Sequence, residues 1–185
     1  MDCGQEAMRA ILFLLAVLST NAMAGVLVIG DSMSAQVNSW PAYYREYTGD
    51  NVMVMAQNGR TIRDFTLPND LHADGNIDTA IYLLGGNDMF MNTGPFMLAE
   101  RVLTHLRFLK DRGFRVIVVK VPEFYGREAE IRKINGIITR KARGLKLEVI
   151  DLMPIWDTQL TSDTVHPKPE LSRMIAQCVI TALGQ

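Results

Sequence analysis

Apolar residues form two kinds of segment that alternate along this chain. Short runs rich in valine, isoleucine and leucine lack a clean alternation of apolar and polar residues, which is typical of parallel strands covered on both faces. Five such runs occur, at residues 26–29, 52–56, 80–84, 116–121 and 147–150. Between them, longer segments carry apolar residues at helical spacing, most clearly at 96–111, 128–143 and 169–183.

The segment 34–48 is a less regular helix candidate, because Pro41 would start or kink a helix there. Strand and helix still alternate along the chain, which predicts a doubly wound α/β sandwich. The chain has 185 residues, 48% of them hydrophobic, which suits a single core. Because residues 25–185 contain no internal repeat or linker, we predict that they form one domain.

Residues 1–24 instead predict a signal peptide. The apolar run at 10–18 is too short to cross a bilayer, and Ala22-Met23-Ala24 after it is a small-x-small pattern typical of cleavage sites. We expect export to the periplasm or the exterior after cleavage near Ala24, with no stable membrane span left in the mature chain. A buried first helix and a retained membrane anchor are the alternatives.

The charge before that run is unusual for a signal peptide, because Asp2 and Glu6 outnumber Arg9. A start at Met8 would remove both acids and leave a basic front. Cleavage after Ala24 would leave a formally neutral chain. That balance does not favour nucleic acid or an anionic membrane surface as a partner.

Cys178 would be the only cysteine left after cleavage, so no intrachain disulfide is expected and stability depends on packing. It lies in an apolar helical pattern, which predicts a buried thiol. We expect His105 on a helix surface and His72 in a loop. These scattered side chains do not make the ligand set of a metal site, so neither a metal nor another cofactor is expected.

Polar and glycine-containing motifs follow three of the predicted strands. Gly30-Asp31-Ser32 comes directly after the first strand and Gly85-Gly86-Asn87-Asp88 directly after the third, while Gly59 follows the second by a few residues. In open α/β sheets, ligands bind beyond the carboxyl ends of the strands. The three motifs are therefore expected to converge on one crevice.

A hydroxyl, a carboxylate and an imidazole supply the chemistry for this crevice. Ser32 lies where a strand turns toward a helix, and Asp163 and His166 stand three residues apart before the last helix. A carboxylate at that spacing can fold back onto the imidazole and fix its tautomer, so that the histidine can take the serine proton. An N-cap serine, a helix-capping aspartate and a surface histidine are the structural alternatives.

Three groups could hold the oxyanion that such an attack produces: the Asn87 side-chain amide and the backbone N–H groups of Gly59 and Ser32. Glycine has no side chain to block the approach of a substrate. For residues 85–88 an ordinary turn is the alternative. They are not a dinucleotide-binding fingerprint, which needs G-x-G-x-x-G at the start of a helix.

The four motifs, in this order, resemble the sequence blocks of the SGNH (GDSL-type) hydrolase superfamily. The first block matches as Gly30-Asp31-Ser32, with Met33 where leucine is usual, and the second matches at Gly59. The third matches in full at 85–88 and the last at 163–166. The resemblance spans essentially all of the mature chain.

This resemblance implies a flavodoxin-like three-layer α/β/α sandwich with a five-stranded parallel sheet. It also implies Ser32 as nucleophile, His166 as base and Asp163 as the residue that orients the base. The implied oxyanion donors are Ser32, Gly59 and Asn87. Asp31 and Asp88 are expected to buttress the loops rather than to react.

The predicted function is that of an exported serine esterase acting on an acyl ester, a lysophospholipid or a thioester through an acyl-enzyme. Candidate residues for an apolar trough are Met89, Phe90, Met91 and Phe124, although 89–91 could instead pack under a loop. A carbohydrate O-acetyl esterase is the alternative, with aromatic platforms among Trp40, Tyr43, Tyr125 and Trp156. A non-catalytic binding module is a further alternative. The expected partner is a small-molecule or glycan ester.

Overall fold

A computed structural model describes residues 25–91 and 93–185, so the predicted signal peptide at 1–24 lies outside the described residues. Ten α-helices and β-strands follow one another along the described chain. They are β1 (Val26–Gly30), α1 (Ser32–Ala35), α2 (Trp40–Thr48), β2 (Val52–Ala56), β3 (Thr79–Leu83), α3 (Pro95–Asp111), β4 (Arg115–Val119), α4 (Glu128–Gly144), β5 (Glu148–Ile150) and α5 (Pro169–Leu183).

The strands form one five-stranded sheet in the order β2-β1-β3-β4-β5, and every neighbouring pair is parallel. This is the strand order of flavodoxin-like folds, in which the direction of winding reverses between β1 and β3. The interior strands β1 and β3 are fully buried, whereas the edge strand β2 leaves Met53 and Val54 exposed. The predicted fold class is therefore confirmed.

The two faces of the sheet bury separate apolar clusters. Leu27 and Ile29 of β1 point to the face covered by α3 and α4. Val26 and Val28 point to the opposite face, covered by α1, α2 and α5. Because successive strand residues face opposite sides, a strand buried on both sides must be apolar throughout. This explains why the strand sequences show no alternation.

Proline marks the start of three helices. Pro95 and Pro169 are the first residues of α3 and α5, and Pro41 lies in the first turn of α2. Proline suits these positions because its φ is already helical and its missing N–H has no intrahelical partner there. The segment predicted as one helix at 34–48 is consequently divided between two helices, α1 and α2, and Pro41 lies in the first turn of α2.

The crossover from β2 to β3, residues 57–78, contains no α-helix. It is nevertheless part of the core, because Ile62, Phe65 and Leu67 are buried in the cluster beneath α3 and α4. We call residues 57–67, which run beside the carboxyl end of the sheet, the crossover loop. Its backbone therefore has a defined position close to the motifs that follow β1 and β3.

The expectation that His105 lies on a helix surface is wrong, because this side chain is only 4% exposed. It stands three residues after Val102 and four before Leu109, on the apolar stripe of α3 that packs on the sheet. Burial lowers the pKa of His105 to about 4, so the ring is neutral at physiological pH. His72, by contrast, is exposed in a loop as predicted.

Cys178 is half-buried on α5 and is the one free cysteine among the residues that the structure describes. Burial raises the pKa of its thiol, which keeps the sulfur protonated and unreactive. No helix within 25–91 and 93–185 is both long enough and apolar enough to span a membrane. The same residues contain no cluster of three or more side chains that could hold a metal ion.

Candidate active site

Ser32 is the first residue of α1, immediately beyond the carboxyl end of β1. Asp31 is the N-cap of that helix, and its Oδ1 accepts a hydrogen bond from the Met33 N–H at 3.1 Å. The structural alternative for Ser32, an N-cap serine, is therefore excluded. As the first helical residue, Ser32 has a backbone N–H with no intrahelical acceptor, which leaves this group available to a ligand.

Asp163 and His166 lie in a short loop before α5 that its own hydrogen bonds hold closed. The Oδ1 atom of Asp163 accepts from the N–H groups of Val165 and His166 at 3.2 and 2.8 Å. The backbone of Thr164 passes through the left-handed region with φ of 71°. That turn brings the Asp163 carboxylate back to the imidazole, with Oδ2 2.7 Å from Nδ1 of His166.

Ser32 and His166 are far apart in the sequence but lie in contact in the folded domain. His166 Nε2 lies 2.9 Å from Ser32 Oγ, across 134 positions of sequence. A carboxylate only accepts hydrogen bonds, so Nδ1 must carry the proton that faces Asp163. Nε2 is then an acceptor for the Ser32 hydroxyl, and the imidazole can remove the hydroxyl proton.

The electrostatics of the acid and its loop agree with this geometry. Partial burial acts to raise the pKa of Asp163, but hydrogen bonds from His166 and Val165 outweigh burial and hold the pKa below its ordinary value. Asp163 is thus a carboxylate over the working range of a serine hydrolase. It does not cap α5, because Lys168 occupies that position.

Gly59 and Asn87 line the same cleft as Ser32 and His166. Gly59 occupies the third position of a turn closed by the Arg60 N–H bonding to the Gln57 carbonyl at 3.2 Å, and its φ is 72°. A Cβ atom at Gly59 would meet nothing within 4 Å, so the positive φ, and not lack of space, favours glycine there. The Asn87 Nδ2 group donates to the Arg60 carbonyl at 3.0 Å.

Asp31 and Asp88 are both buried beside these groups. Burial raises the pKa of Asp31 to about 6, against the opposing effects of the Met33 N–H and the nearby His166. Burial likewise raises the pKa of Asp88, although the N–H groups of the crossover loop oppose the shift. The Asp88 carboxylate accepts from the Ile62 N–H at 2.8 Å and from the Arg63 N–H at 3.4 Å, which links the motif after β3 to the crossover loop.

The cleft has a volume of about 420 Å³ and one strongly apolar wall. Phe124 is buried at its base, while Phe90 is 61% exposed at its rim. The Arg127 guanidinium lies 5.5 Å from the centroid of the Phe90 ring, a contact that the sequence did not indicate. The apolar residues of the wall are Met33, Met89, Phe90, Phe124 and Val165.

The aromatic residues considered as sugar platforms are arranged less favourably. Trp40 is fully buried, and its indole N–H donates to Ser34 Oγ at 3.0 Å. Trp156 is half-buried with its ring 6.5 Å from that of Phe124, and Tyr43 is covered by the Arg173 guanidinium at 4.8 Å. Only Tyr125, which is 80% exposed, is open to a sugar ring among these four.

Comparisons with solved structures agree with the fold. The chain shares its fold with a member of the lipolytic protein G-D-S-L family from Veillonella parvula, with a TM-score of 0.70 at 13% identity over 88% of this chain and 99% of that one. The acetyl xylan esterase AlAXEase gives a TM-score of 0.72 at 18% identity, over 86% and 99% of the two chains. A lipase/acylhydrolase from Enterococcus faecalis gives 0.71 at 16% identity, over 87% and 95%.

A search of curated protein sequences found no significant match. The sequence profile of the GDSL-like lipase/acylhydrolase family, however, matches residues 28–174, which are most of the chain. The matched region begins within β1 and ends within α5, so it includes every motif described above. This protein therefore belongs to the GDSL-like lipase/acylhydrolase family and is a GDSL-type ester hydrolase.

Proposed function

We propose that this protein is an exported serine esterase that cleaves esters of apolar acyl groups through an acyl-enzyme. Ser32 is the nucleophile, His166 the general base and Asp163 the residue that orients the base. The observation that carries the proposal is the continuous pair of contacts from Ser32 Oγ to His166 Nε2 at 2.9 Å and from His166 Nδ1 to Asp163 at 2.7 Å.

In the first half-reaction, Ser32 Oγ attacks the ester carbonyl while His166 Nε2 takes the hydroxyl proton. The Asp163 carboxylate stabilises the imidazolium that results. Collapse of the tetrahedral intermediate breaks the bond to the alcohol, which leaves with the proton from His166. The acyl group remains on Ser32.

The negative charge on the tetrahedral oxygen is held by three donors in this proposal. They are the backbone N–H groups of Ser32 and Gly59 and the Asn87 side-chain amide. Asn87 has two amide hydrogens, and the bond to the Arg60 carbonyl uses one of them. The other hydrogen remains for the substrate, in an orientation set before the substrate arrives.

In the second half-reaction, water takes the place of the alcohol. His166 Nε2 removes a proton from the water as the water attacks the acyl carbonyl, and the proton then passes to Ser32 Oγ as the acid leaves. His166 must be neutral at the start of both half-reactions.

The apolar wall supports an acyl substrate over a small acetyl group on a sugar. Phe124, Met89 and Phe90 all line the cleft, and their exposure rises in that order from buried to 61% exposed. Such a surface gains free energy from each buried methylene, roughly 0.8 kcal/mol. An O-acetyl substrate would leave most of the wall without contact.

Replacement of the nucleophile tests the reaction. Ser32→Ala should abolish turnover and labelling by a fluorophosphonate while the circular dichroism spectrum stays unchanged. Ser172→Ala, on α5, is the matched control: the Ser172 hydroxyl makes no hydrogen bond to any residue that the structure describes and does not line the cleft, so this variant should keep both activity and labelling. Activity of Ser32→Ala within a few-fold of wild type would refute the proposal, and a wild-type chain that resists the label would favour a binding module.

A series of nitrophenyl esters tests the substrate class. With chains from acetate to laurate, kcat/KM should rise beyond acetate, and Phe90→Ala should change the length preference. Phe96→Ala, a change to the same residue type at an 80% exposed position of α3, is the control and should leave the preference unchanged. Highest activity on acetate, in both wild type and Phe90→Ala, would instead favour the carbohydrate O-acetyl esterase.

Export is tested on the precursor. The predicted cleavage after Ala24 should give a mature protein that begins at Gly25 and is recovered outside the cytoplasm. Mass spectrometry of the cell-free and cytoplasmic fractions measures this. A full-length chain confined to the cytoplasm would contradict this part of the proposal.

A further inference from the structure

A buried histidine that the proposed mechanism does not use joins three parts of the fold. His105 on α3 has its Nε2 atom 3.1 Å from the Phe65 carbonyl oxygen and its Nδ1 atom 3.1 Å from the Tyr82 hydroxyl of β3. A carbonyl oxygen only accepts, so Nε2 carries the proton and donates to Phe65. Nδ1 is then the acceptor for the Tyr82 hydroxyl, and both ring nitrogens are satisfied.

The contacts continue from His105 to the residue beside Gly59. The Phe65 ring meets the His105 ring edge-on with centroids 5.3 Å apart. The Arg60 guanidinium lies 4.9 Å from the centroid of the same Phe65 ring and also donates to the Met55 carbonyl at 2.9 Å. Arg60 directly follows Gly59, so the position of Gly59 depends on this stack.

The crossover loop is therefore held on two sides. On one side, two residues of the motif after β3 bond to the loop: Asp88 accepts from the Ile62 N–H at 2.8 Å, and Asn87 donates to the Arg60 carbonyl at 3.0 Å. From α3, His105 holds the Phe65 carbonyl. The bonds from the motif after β3 reach residues 60–63, and the bond from His105 adds a second attachment at Phe65.

We propose that His105 is a positioning residue that, by holding Phe65, sets the place of the Gly59 N–H in the oxyanion hole. The inference rests on the proposed function, because it takes Gly59 as an oxyanion donor. The Phe65 carbonyl requires the ring tautomer with its proton on Nε2, and the Tyr82 hydroxyl stabilises that tautomer by donating to Nδ1. His105 itself does not touch the substrate.

The hydrogen bond can be separated from the packing by two variants at the same position. His105→Leu fills the space without a donor, whereas His105→Gln can place an amide N–H close to where Nε2–H lies. We expect His105→Leu to lose up to about 100-fold in kcat with KM changed less than about two-fold, the scale expected for a small misplacement remote from the chemistry. His105→Gln should recover most of that loss, and His72→Gln, at the exposed histidine, should behave as wild type.

Amide hydrogen exchange supplies a readout that does not depend on turnover. Residues 57–67 should exchange faster in His105→Leu than in wild type or His105→Gln, while the central strands exchange at unchanged rates. Tyr82→Phe keeps the histidine and provides a milder variant should His105→Leu fail to fold. It should raise exchange in the same segment and lower kcat in proportion.

Three results would overturn the inference. One is a wild-type kcat in His105→Leu or Tyr82→Phe, whatever the melting temperature. Another is a His105→Gln variant no better than His105→Leu, and the third is unchanged exchange of 57–67 in every variant. Failure of the proposed function is seen separately, as retained activity in Ser32→Ala.

Discussion

At the scale of single residues, the acid–base pair depends on one unusual backbone conformation. Thr164 has φ of 71°, in the left-handed region that β-branched residues rarely adopt. The conformation lets the Asp163 carboxylate bond to the backbone and ring of His166 at the same time. The strain is therefore located where the proposed chemistry needs a fixed geometry, as is common at functional sites.

We predict that Thr164→Asn raises the free energy of unfolding by about 1 kcal/mol, because asparagine tolerates the left-handed region at lower cost. Urea denaturation at neutral pH measures the change. Thr66→Asn, at an exposed threonine in the β2–β3 crossover, is the control and should shift stability by less than about 0.5 kcal/mol. An unchanged midpoint in Thr164→Asn would mean that the loop does not carry this strain.

Asp31 makes stability depend on pH. Burial raises the pKa of its carboxyl from 3.8 to about 6 in the folded protein. The stability that the neutral Asp31 carboxyl gives the folded protein is therefore fully present below pH 3.8. It is lost as the pH rises through about 6, because the folded chain must then hold a buried charge.

Asp31→Asn should remove that cost while its carboxamide still caps α1. We expect the variant to exceed wild type in unfolding free energy by up to about 3 kcal/mol at pH 8, and to match it near pH 4. Urea unfolding at both pH values decides the matter. If Asp31→Asn differed from wild type in unfolding free energy by the same amount at both pH values, the buried charge of Asp31 would not be the cause of the difference.

The strand ends predicted that the motifs of Ser32, Gly59 and Asn87 would share one crevice, because the carboxyl ends of parallel strands lie at one edge of the sheet. The three-residue spacing predicted the contact between Asp163 and His166, and the family resemblance implied that His166 serves Ser32. The hydrogen bonds of Asp88 and His105 to the crossover loop were not predictable. They join backbone groups 26 and 40 positions away, and no local pattern records such contacts. Position 105 on the buried stripe of α3 was the one available signal for that histidine.

At the scale of elements, periodicity predicted the helices and strands well. The helix expected at 96–111 runs from Pro95 to Asp111, and the strand expected at 52–56 is β2. The crossover after β2 has neither the strand nor the helix period, so its packing could not be read from the sequence. Ile62, Phe65 and Leu67 of this crossover are nevertheless buried in the core.

Truncation of Ile62, in the middle of the crossover loop, should therefore lower the free energy of unfolding as much as truncation of a buried helix residue. Ile62 is fully buried, and Ile62→Ala is expected to lower the free energy of unfolding by about 2–5 kcal/mol. Denaturant unfolding provides the measurement, with Ile138→Ala on α4, also fully buried, as the reference. A loss below about 1 kcal/mol at Ile62 would contradict the packing of this loop into the core.

At the scale of the whole molecule, the strand order decides where the site lies. The winding reverses between β1 and β3, and the motifs after these two strands border the resulting crevice. The loop after β2 contributes Gly59 to this cleft, and the loop before α5 contributes His166. The cleft is therefore assembled by the complete sheet and not by any one segment.

We predict that residues 25–185, produced without the first 24, fold and hydrolyse esters with the kcat of the naturally processed protein. The reason is that both apolar clusters and all seven predicted site residues lie within that range. Circular dichroism and a nitrophenyl ester assay measure the outcome. Loss of cooperative unfolding in the shortened chain would place part of the domain in the first 24 residues.

The 134 positions between Ser32 and His166 also have a consequence for biosynthesis. A ribosome delivers the hydroxyl early and the imidazole almost last, so a nascent chain holds the nucleophile without its base. In the proposed mechanism, the chain can therefore hydrolyse esters only after His166 has been synthesised and the loop before α5 has reached Ser32.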